Sequence, residues 1–301
     1  MNLTLQNIIN LPKDSKISLL PHDNADVDAI FSCILLSKLL DFFQIENEIL
    51  IFDKTISKDT MYICDIVGIN VNMYMEDHED DKRNLFLLDH FSTVHKGNVI
   101  GCIDHHPTEN NIQYPIYEYR KSCATAYIIY TYMLEVNMKI TKEIVELLGY
   151  AMLVDTCSFT SSKTVESESK ILPDMLLSYG LDYNKMSEIS CLYTNIHEMT
   201  LDEISTNGLK SYDYMRGKVK SSYLQLKQNI DDELLKKVIL KITDILSKEK
   251  LLLWVFIVYS IDEKKTYVYL IHSTGVESKI YDRIISRGVD IMPKVEEIFN
   301  K

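Results

Sequence analysis

Short apolar runs that stop at charged side chains restrict the possible folds of this chain more than any other feature. The runs Ile17–Leu20, NLFLL (84–88) and NVIGCI (98–103) each end close to acidic and histidine residues. Continuous apolar runs of this length predict strands that are buried on both faces, and helix-like runs lie between them. We therefore expect residues 1–190 to form a doubly wound α/β domain with a mainly parallel sheet.

The sequence pattern changes after about residue 190. Residues 190–200 (SCLYTNIHEMT) have no clear period and predict a linker or hinge over 191–200. Beyond them the sequence predicts strands at 218–225, 251–259 and 266–272, an amphipathic helix over 231–248 and a last helix beginning at 278–285. Residues 201–301 are therefore expected to form a smaller α/β domain with a mixed sheet.

Composition limits the classes of protein to which the chain can belong. The net charge of −12 argues against non-specific nucleic-acid binding, which depends on a basic surface. The six cysteines form no CxxC pair, which favours reduced thiols. No apolar run approaches the ~20 residues of a membrane span, and the N-terminus lacks a signal-peptide pattern. A cytoplasmic protein is expected.

Acidic and histidine residues gather where the apolar runs end. The groups are His22 with Asp26 and Asp28, Asp89-His90, Asp104-His105-His106, and Asp155. Parallel strands end at one edge of a sheet, so these carboxylates would meet there and repel one another by several kcal/mol. Divalent cations would remove that repulsion, and mixed imidazole and carboxylate ligands suit Mn²⁺, Co²⁺ or Zn²⁺. Enough ligands are present for two ions bridged by a carboxylate.

Each group also has a purely structural interpretation when it is taken alone. Asp26 and Asp28 fall at the cap and first turn of a predicted helix, where carboxylates are favoured without any metal. The acidic run 76–82 (EDHEDDK) is predicted to be a solvated loop. It is the four groups together that indicate a metal centre.

The motifs HDNADVDAI (22–30), LLDH (87–90), CIDHHP (102–107) and VDT (154–156) resemble, in this order, those of the DHH phosphoesterase superfamily. Within it the chain is most similar to the manganese-dependent family II inorganic pyrophosphatases and the related exopolyphosphatases. The C-terminal stretch IISRGVDIMPKVEEIF resembles the Ser-Arg signature of the DHHA2-type domain. The glycine-rich GGGH-type motif of the nuclease branch is absent.

The resemblance implies a site with a role for each matching residue. One ion would be held by His22, Asp26 and Asp89, and a second by Asp28, Asp89, His105 and Asp155. Asp89 would bridge the ions and, with His106, take part in catalysis. His106, Lys210 and Arg287 would bind the substrate, while Asp104 and His90 would orient the ligands. Mn²⁺ is the first candidate for the ions, with Co²⁺ and Mg²⁺ as alternatives.

The implied activity is hydrolysis of phosphoanhydride bonds, with pyrophosphate as the first candidate substrate. Two departures leave the substrate open: Gly288 stands where the pyrophosphatases have lysine, and Phe91 where they have asparagine. Polyphosphate, a nucleotide or another phosphoester is the alternative. A second alternative is a non-catalytic regulator that binds metal or nucleotide. The expected partner is a small phosphorylated substrate, without a membrane or nucleic acid, and the resemblance suggests a homodimer.

Overall fold

The chain forms two compact units. The structure is a computed structural model, and it describes residues 2–13, 15–52, 56–76, 82–91, 97–107, 114–191, 194 and 196–299. The first unit comprises Met1–Phe159 and Lys163–Cys191, and the second comprises Thr160–Ser162 and Leu192–Lys301. The chain thus enters the second unit for three residues, returns to the first, and enters the second again.

The first unit contains a five-stranded parallel sheet. Its strands are β1 (Ile17–Pro21), β2 (Asn47–Ile49), β3 (Asn84–Leu88), β4 (Asn98–Asp104) and β5 (Ile116–Tyr119), in the spatial order β2-β1-β3-β4-β5. Every neighbouring pair is parallel, so all five carboxyl ends lie along one edge. All of β1 is buried, as its continuous apolar run predicts.

Seven helices accompany this sheet in the described residues. They are α1 (Leu3–Ile9), α2 (Val27–Phe42), α3 (Lys58–Ile66), α4 (Thr125–Glu135), α5 (Lys142–Asp155), α6 (Glu166–Ser178) and α7 (Tyr183–Ser190), with a 3-10 turn at Val71–Tyr74. The helix α2 contacts β1, α4 and α5. Its sequence is apolar on nearly every side because it packs between these elements.

The second unit has a mixed five-stranded sheet. Its strands are β6 (Lys210–Tyr214), β7 (Gly217–Leu226), β8 (Leu253–Ser260), β9 (Lys265–His272) and β10 (Gly275–Tyr281). They lie in the order β10-β9-β8-β7-β6, and only the pair β7–β8 is parallel. The helices are α8 (Leu201–Thr206), α9 (Asp232–Glu249) and α10 (Met292–Phe299), with short turns at Ile196–Glu198 and Arg287–Ile291.

The core of the second unit forms between α9 and the sheet. Val238, Ile242 and Leu246 of α9 belong to the same buried cluster as Trp254 of β8. The indole Nε1–H of Trp254 donates to Ser222 Oγ at 2.8 Å, so the polar atom of this buried ring is paired. The tryptophan is therefore a core residue.

The predicted fold class is confirmed, but the helix predicted to begin at 278–285 is wrong. Residues Gly275–Tyr281 form β10, which pairs with β9 through an antiparallel ladder, and the last helix begins at Met292. The apolar Val276 and Ile280 are four residues apart, a spacing that also fits a helix face. The tight connection from β9 at Gly275 (φ +156°) places the segment beside the sheet instead.

Parts of two predicted loops lie outside the described residues. These are residues 77–81 of the acidic run and residues 192, 193 and 195 of the predicted linker. None of the helices in the described part of the chain is both long enough and apolar enough to cross a bilayer.

Candidate metal centre

The connection from β1 to α2 carries the first group of candidate ligands. The Nδ1–H of His22 donates to the carbonyl oxygen of Asp23 at 2.8 Å, which leaves the lone pair on Nε2. Nε2 lies 3.4 Å from Asp26 Oδ2 and 3.7 Å from Asp89 Oδ2. Asp26 also caps α2, because its side chain accepts from the Ala29 N–H at 3.1 Å. The structural and ligand interpretations of Asp26 are therefore compatible.

Asp89 lies at the centre of the cluster. It follows β3 in the left-handed conformation (φ +65°), and its N–H donates to the Ile103 carbonyl oxygen at 2.9 Å. Oδ2 faces His22, whereas Oδ1 lies 3.4 Å from His105 Nε2 and accepts from Thr125 Oγ1 at 2.7 Å. The two oxygens of one buried carboxylate therefore face two different imidazoles.

The end of β4 supplies Asp104, His105 and His106. The Nδ1–H of His105 donates to the Ser122 carbonyl oxygen at 2.9 Å, so its Nε2 lone pair faces the cluster. Asp104 Oδ1 accepts from both the backbone N–H and the ring Nδ1 of His106, each at 2.9 Å. These two hydrogen bonds orient the His106 ring. Burial is the largest cause that lowers the pKa of His106, and the neighbouring His105 is the next; together they bring it to about 4.

Asp155, the last residue of α5, adds a further carboxylate to the cluster beside His105. Its Oδ2 lies 3.4 Å from His105 Nε2, and its Oδ1 accepts from Lys163 Nζ at 2.6 Å. Burial alone would raise the pKa of Asp155, but the charge of Lys163, and after it the neighbouring His105, outweigh burial and lower the pKa. Residues 157–159 are all left-handed (φ +48°, +52° and +62°), in the turn between Asp155 and Lys163.

Asp28 also accepts hydrogen bonds from the start of α4, a contact that the sequence does not predict. Its Oδ2 accepts from the Thr125 N–H at 2.7 Å, and its Oδ1 accepts from the Ala126 N–H at 3.0 Å. Asp28 therefore caps α4, which has no cap from its own preceding alanine. It still reaches the cluster, because its Oδ2 lies 3.9 Å from His105 Nε2.

The cluster holds more negative charge than its own hydrogen bonds compensate. Burial is the largest cause that raises the pKa of both Asp28 and Asp89. The next cause is the repulsion of Asp28 by Asp89 and of Asp89 by Asp26. A cation at this place would remove that repulsion.

Unpartnered polar atoms show that the cluster fits a metal ion. Within the part of the chain that the structure describes, the buried atoms His22 Nε2, His105 Nε2, Asp104 Oδ2 and Asp155 Oδ2 make no hydrogen bond. Two groups have ligand atoms within 4.8 Å of one another: His22, Asp26 and Asp89, and also Asp89, His105 and His106. Both groups share Asp89, and their nitrogen and oxygen donors suit a divalent transition metal.

The side chains of His90 and Phe91, which follow Asp89, contact different parts of the first unit. His90 Nε2–H donates to the Leu20 carbonyl oxygen at 3.2 Å, and its ring meets that of His22 edge to face at 6.5 Å. Phe91 packs against an apolar cluster that includes Leu87. The Phe91 ring is therefore part of the packing of the first unit.

Arg287, Gly288 and Lys210 lie in the second unit. Arg287 Nη1 donates to the Gly208 carbonyl oxygen at 2.5 Å, and its guanidinium lies 5.1 Å from the centre of the Tyr223 ring. Lys210 begins β6 and is half-buried. A Cβ atom at Gly288 would meet nothing within 4 Å.

Sequence reasoning missed Thr125, Ser122 and Lys163. Each of the three forms a hydrogen bond with a predicted ligand: Thr125 with Asp89, Ser122 with His105, and Lys163 with Asp155. Lys163 follows Asp155 by eight residues in a polar run that gives no periodic signal. Its ion pair depends on the left-handed turn after α5, which composition does not reveal.

The parallel sheet and the cluster at its carboxyl edge define the class: an α/β protein with a candidate divalent-metal centre. Residues 16–152 match the DHH family, N-terminal domain. The resemblance that the motifs indicate is confirmed.

Several relatives of the chain are named for one activity. A probable manganese-dependent inorganic pyrophosphatase of Enterococcus faecalis is 27% identical over 220 residues, which cover 68% of each chain. One of the same name from Bacillus cereus is 23% identical over 312 aligned positions, covering 94% of this chain and 99% of the relative.

Two solved structures show the same fold. The "putative family II inorganic pyrophosphatase" of Methanococcus jannaschii has a TM-score of 0.76 at 20% identity, over 95% of this chain and 100% of that one. An exopolyphosphatase-related protein of Bacteroides fragilis has a TM-score of 0.51 at 15% identity, over 98% and 95%.

Proposed function

We propose that the chain is a metal-dependent phosphohydrolase that cleaves phosphoanhydride bonds, with inorganic pyrophosphate as the first candidate substrate. The observation that carries the proposal is the Asp89 carboxylate, whose two oxygens face His22 and His105 as a bridging ligand requires. The names of the Enterococcus and Bacillus relatives support manganese as the metal and pyrophosphate as the substrate.

The proposed centre holds two Mn²⁺ ions, with Co²⁺ or Mg²⁺ as alternatives. His22, Asp26 and Asp89 would hold one ion, and Asp28, Asp89, His105 and Asp155 would hold the other. When bound, the ions would supply Lewis-acid chemistry: they would polarise phosphoryl oxygens and lower the pKa of coordinated water. Asp28 can contribute while it caps α4, because each carboxylate oxygen has two lone pairs.

His106 and Asp104 would act together on the substrate. Asp104 holds the Nδ1–H of His106, which leaves Nε2 as the ring atom for the phosphate. An anionic phosphate beside Nε2 raises the pKa of the ring, so the ring can take up a proton and donate it to the leaving phosphate. His90 would support the ring of His22 through their edge-to-face contact.

The second unit is proposed to be a DHHA2-like substrate-binding domain over 201–301. Arg287 and Lys210 would be its phosphate-binding cations. Stacking on Tyr223 and the bond to the Gly208 carbonyl fix the Arg287 head, which lowers the entropy cost of binding an anion. Residues 1–190 would be the catalytic domain and 191–200 the hinge.

Phosphate release from pyrophosphate, tripolyphosphate and a cyclic dinucleotide tests this function, with Mn²⁺ and Mg²⁺ in parallel. We expect Mn²⁺-dependent release from pyrophosphate. Asp89→Ala should lower it more than about hundredfold, because both ions lose a shared ligand. Asp65→Ala, at an exposed position of α3, is the matched control and should keep the wild-type rate. An Asp89→Ala protein with wild-type metal content and turnover would contradict the assignment.

A second candidate is an exopolyphosphatase or another small phosphoester or nucleotide hydrolase. Gly288 and Phe91 favour it, since the resemblance implies a lysine and an asparagine at these two positions in the pyrophosphatases. Faster release from tripolyphosphate or from the dinucleotide than from pyrophosphate would establish it. Mn²⁺ binding without turnover of any substrate would instead indicate a non-catalytic regulator.

We further propose a cytoplasmic homodimer. The six cysteines form no disulfide with one another and four of them are buried, which supports a reducing compartment. The mass in solution, measured by light scattering at several concentrations, decides the oligomeric state.

A further inference from the structure

Lys163 brings an ammonium group to the candidate metal centre. Its Nζ lies 2.6 Å from Asp155 Oδ1, and the two side chains are 15% and 12% exposed. The other oxygen of Asp155 lies 3.4 Å from His105 Nε2 and has no hydrogen-bond partner among the described residues. Lys163 therefore engages one oxygen of Asp155 and leaves the other for a metal ion.

We infer that Lys163 is a positioning residue that makes the two cation positions unequal. The inference rests on the metal centre proposed above. The position beside His22 and Asp26 fills first. The position beside His105 and Asp155 fills second and more weakly, because it shares a carboxylate with a positively charged side chain.

Electrostatics sets the direction of this effect. A cation on Oδ2 of Asp155 and the ammonium on Oδ1 are like charges on the two sides of one carboxylate. In a partly buried site their repulsion is screened far less than in water, and it lowers the affinity for the second ion by about tenfold or more. Asp155 belongs to the second ligand set alone, so the first position does not share a ligand with Lys163.

The same ion pair has the opposite effect on the protein without metal. Asp155 is largely shielded from solvent, and its charge and those of Asp26, Asp28 and Asp89 repel one another. Lys163 supplies counter-charge there while the second ion is absent. Removing the ammonium should therefore destabilise the metal-free protein and strengthen binding of the second ion, since the two effects are linked.

A calorimetric titration of the metal-stripped full chain with MnCl₂ tests the inference. We expect two phases for the wild type. In Lys163→Met the weaker phase should tighten by about tenfold or more, and the tighter phase should change less than the weaker one. Lys163→Arg keeps the charge and should restore the wild-type pattern. Lys170→Met removes the same charge from an exposed position of α6 and serves as the matched control.

Thermal unfolding supplies a readout without titration. Lys163→Met should unfold at a lower temperature than the wild type in EDTA, and the difference should shrink in saturating Mn²⁺. Lys163→Gln, whose amide can still donate to Asp155, is the second neutral variant if the methionine variant fails to fold. Equal phases in the wild type, or a weaker phase that neither neutral variant tightens, would overturn the inference.

The outcomes separate this inference from the proposed function. Two unequal Mn²⁺ phases that respond to Lys163, without any phosphate release, would overturn the proposed function and leave the role of Lys163 standing. Full pyrophosphate turnover, with two Mn²⁺ binding phases that are the same in the wild type and in the neutral variants at position 163, would overturn the role of Lys163 and leave the proposed function standing.

Discussion

At the scale of single residues, the orientation of His105 depends on the Glu168 carboxylate, which does not touch the ring but hydrogen-bonds to the backbone segment that does. Glu168 Oε2 accepts from Ser122 Oγ at 2.9 Å and from the Cys123 N–H at 2.7 Å. The Ser122 carbonyl oxygen in turn accepts from His105 Nδ1. The buried Glu168 thus fixes the backbone that holds the imidazole, and with it the direction of its Nε2 lone pair.

Glu168→Ala should weaken Mn²⁺ binding to the metal-stripped protein by about tenfold to hundredfold, because the support of His105 is lost. Calorimetric titration measures the affinity, and circular dichroism confirms that the variant is folded. Glu166→Ala, an exposed acidic position on the same helix, is the control and should bind as the wild type does. Unchanged affinity in a folded Glu168→Ala protein would show that His105 is oriented by other contacts.

At the scale of elements, the helix α4 depends on a residue of α2. Asp28 accepts from the first two N–H groups of α4 across 97 and 98 residues of sequence. These donors are buried, and without Asp28 they would be left unpaired. The metal cluster and the packing of α2 against α4 therefore share one side chain.

Asp28→Ala should destabilise the metal-free protein by ~1–2 kcal/mol. Loss of the buried cap bonds costs about 1–3 kcal/mol, and relief of the repulsion from Asp89 offsets part of it. Urea unfolding in EDTA measures the change. Asp28→Asn keeps one acceptor oxygen and should lose less than the alanine variant. A loss equal to that of the exposed Asp65→Ala would mean that Asp28 does not stabilise α4.

How far the elements could be predicted depends on the range of the contacts that fix them. The sequence predicted α2 because its cap, Asp26, and its apolar run are local signals. It predicted that Asp89 and His105 would meet, since parallel strands end at one edge. It could not predict the cap of α4 by Asp28 or the Lys163 ion pair, which depend on tertiary packing. The strand β10 was missed because only its pairing with β9 distinguishes it from a helix.

At the scale of the whole molecule, residues 160–162 belong to the second unit although both flanking segments belong to the first. Ser161 forms a parallel bridge with Ile284, and the Ser162 N–H donates to the Ile284 carbonyl oxygen at 3.3 Å. Ser162 Oγ donates to Asp290 and accepts from the Ser286 N–H. These bonds fix the turn that contains Arg287.

A cut in the connection between the units should therefore leave both fragments together. With a protease site inserted after Cys191, we expect the two cleaved fragments to coelute in gel filtration. Ser162→Pro removes both the N–H and the hydroxyl of the bridge and should favour separation of the fragments. Cleaved Ser162→Pro protein that coelutes as completely as the wild type would show that residues 160–162 do not hold the second fragment.

The three-residue excursion also limits how such proteins can be recombined. A chimera joined only at the 191–201 connection would take its last hundred residues from one parent and the short bridging segment from the other. Serine at 162 and aspartate at 290 would then have to be matched between parents. Exchange of the second unit between such proteins should succeed only when residues 160–162 come from the same parent as residues 192–301.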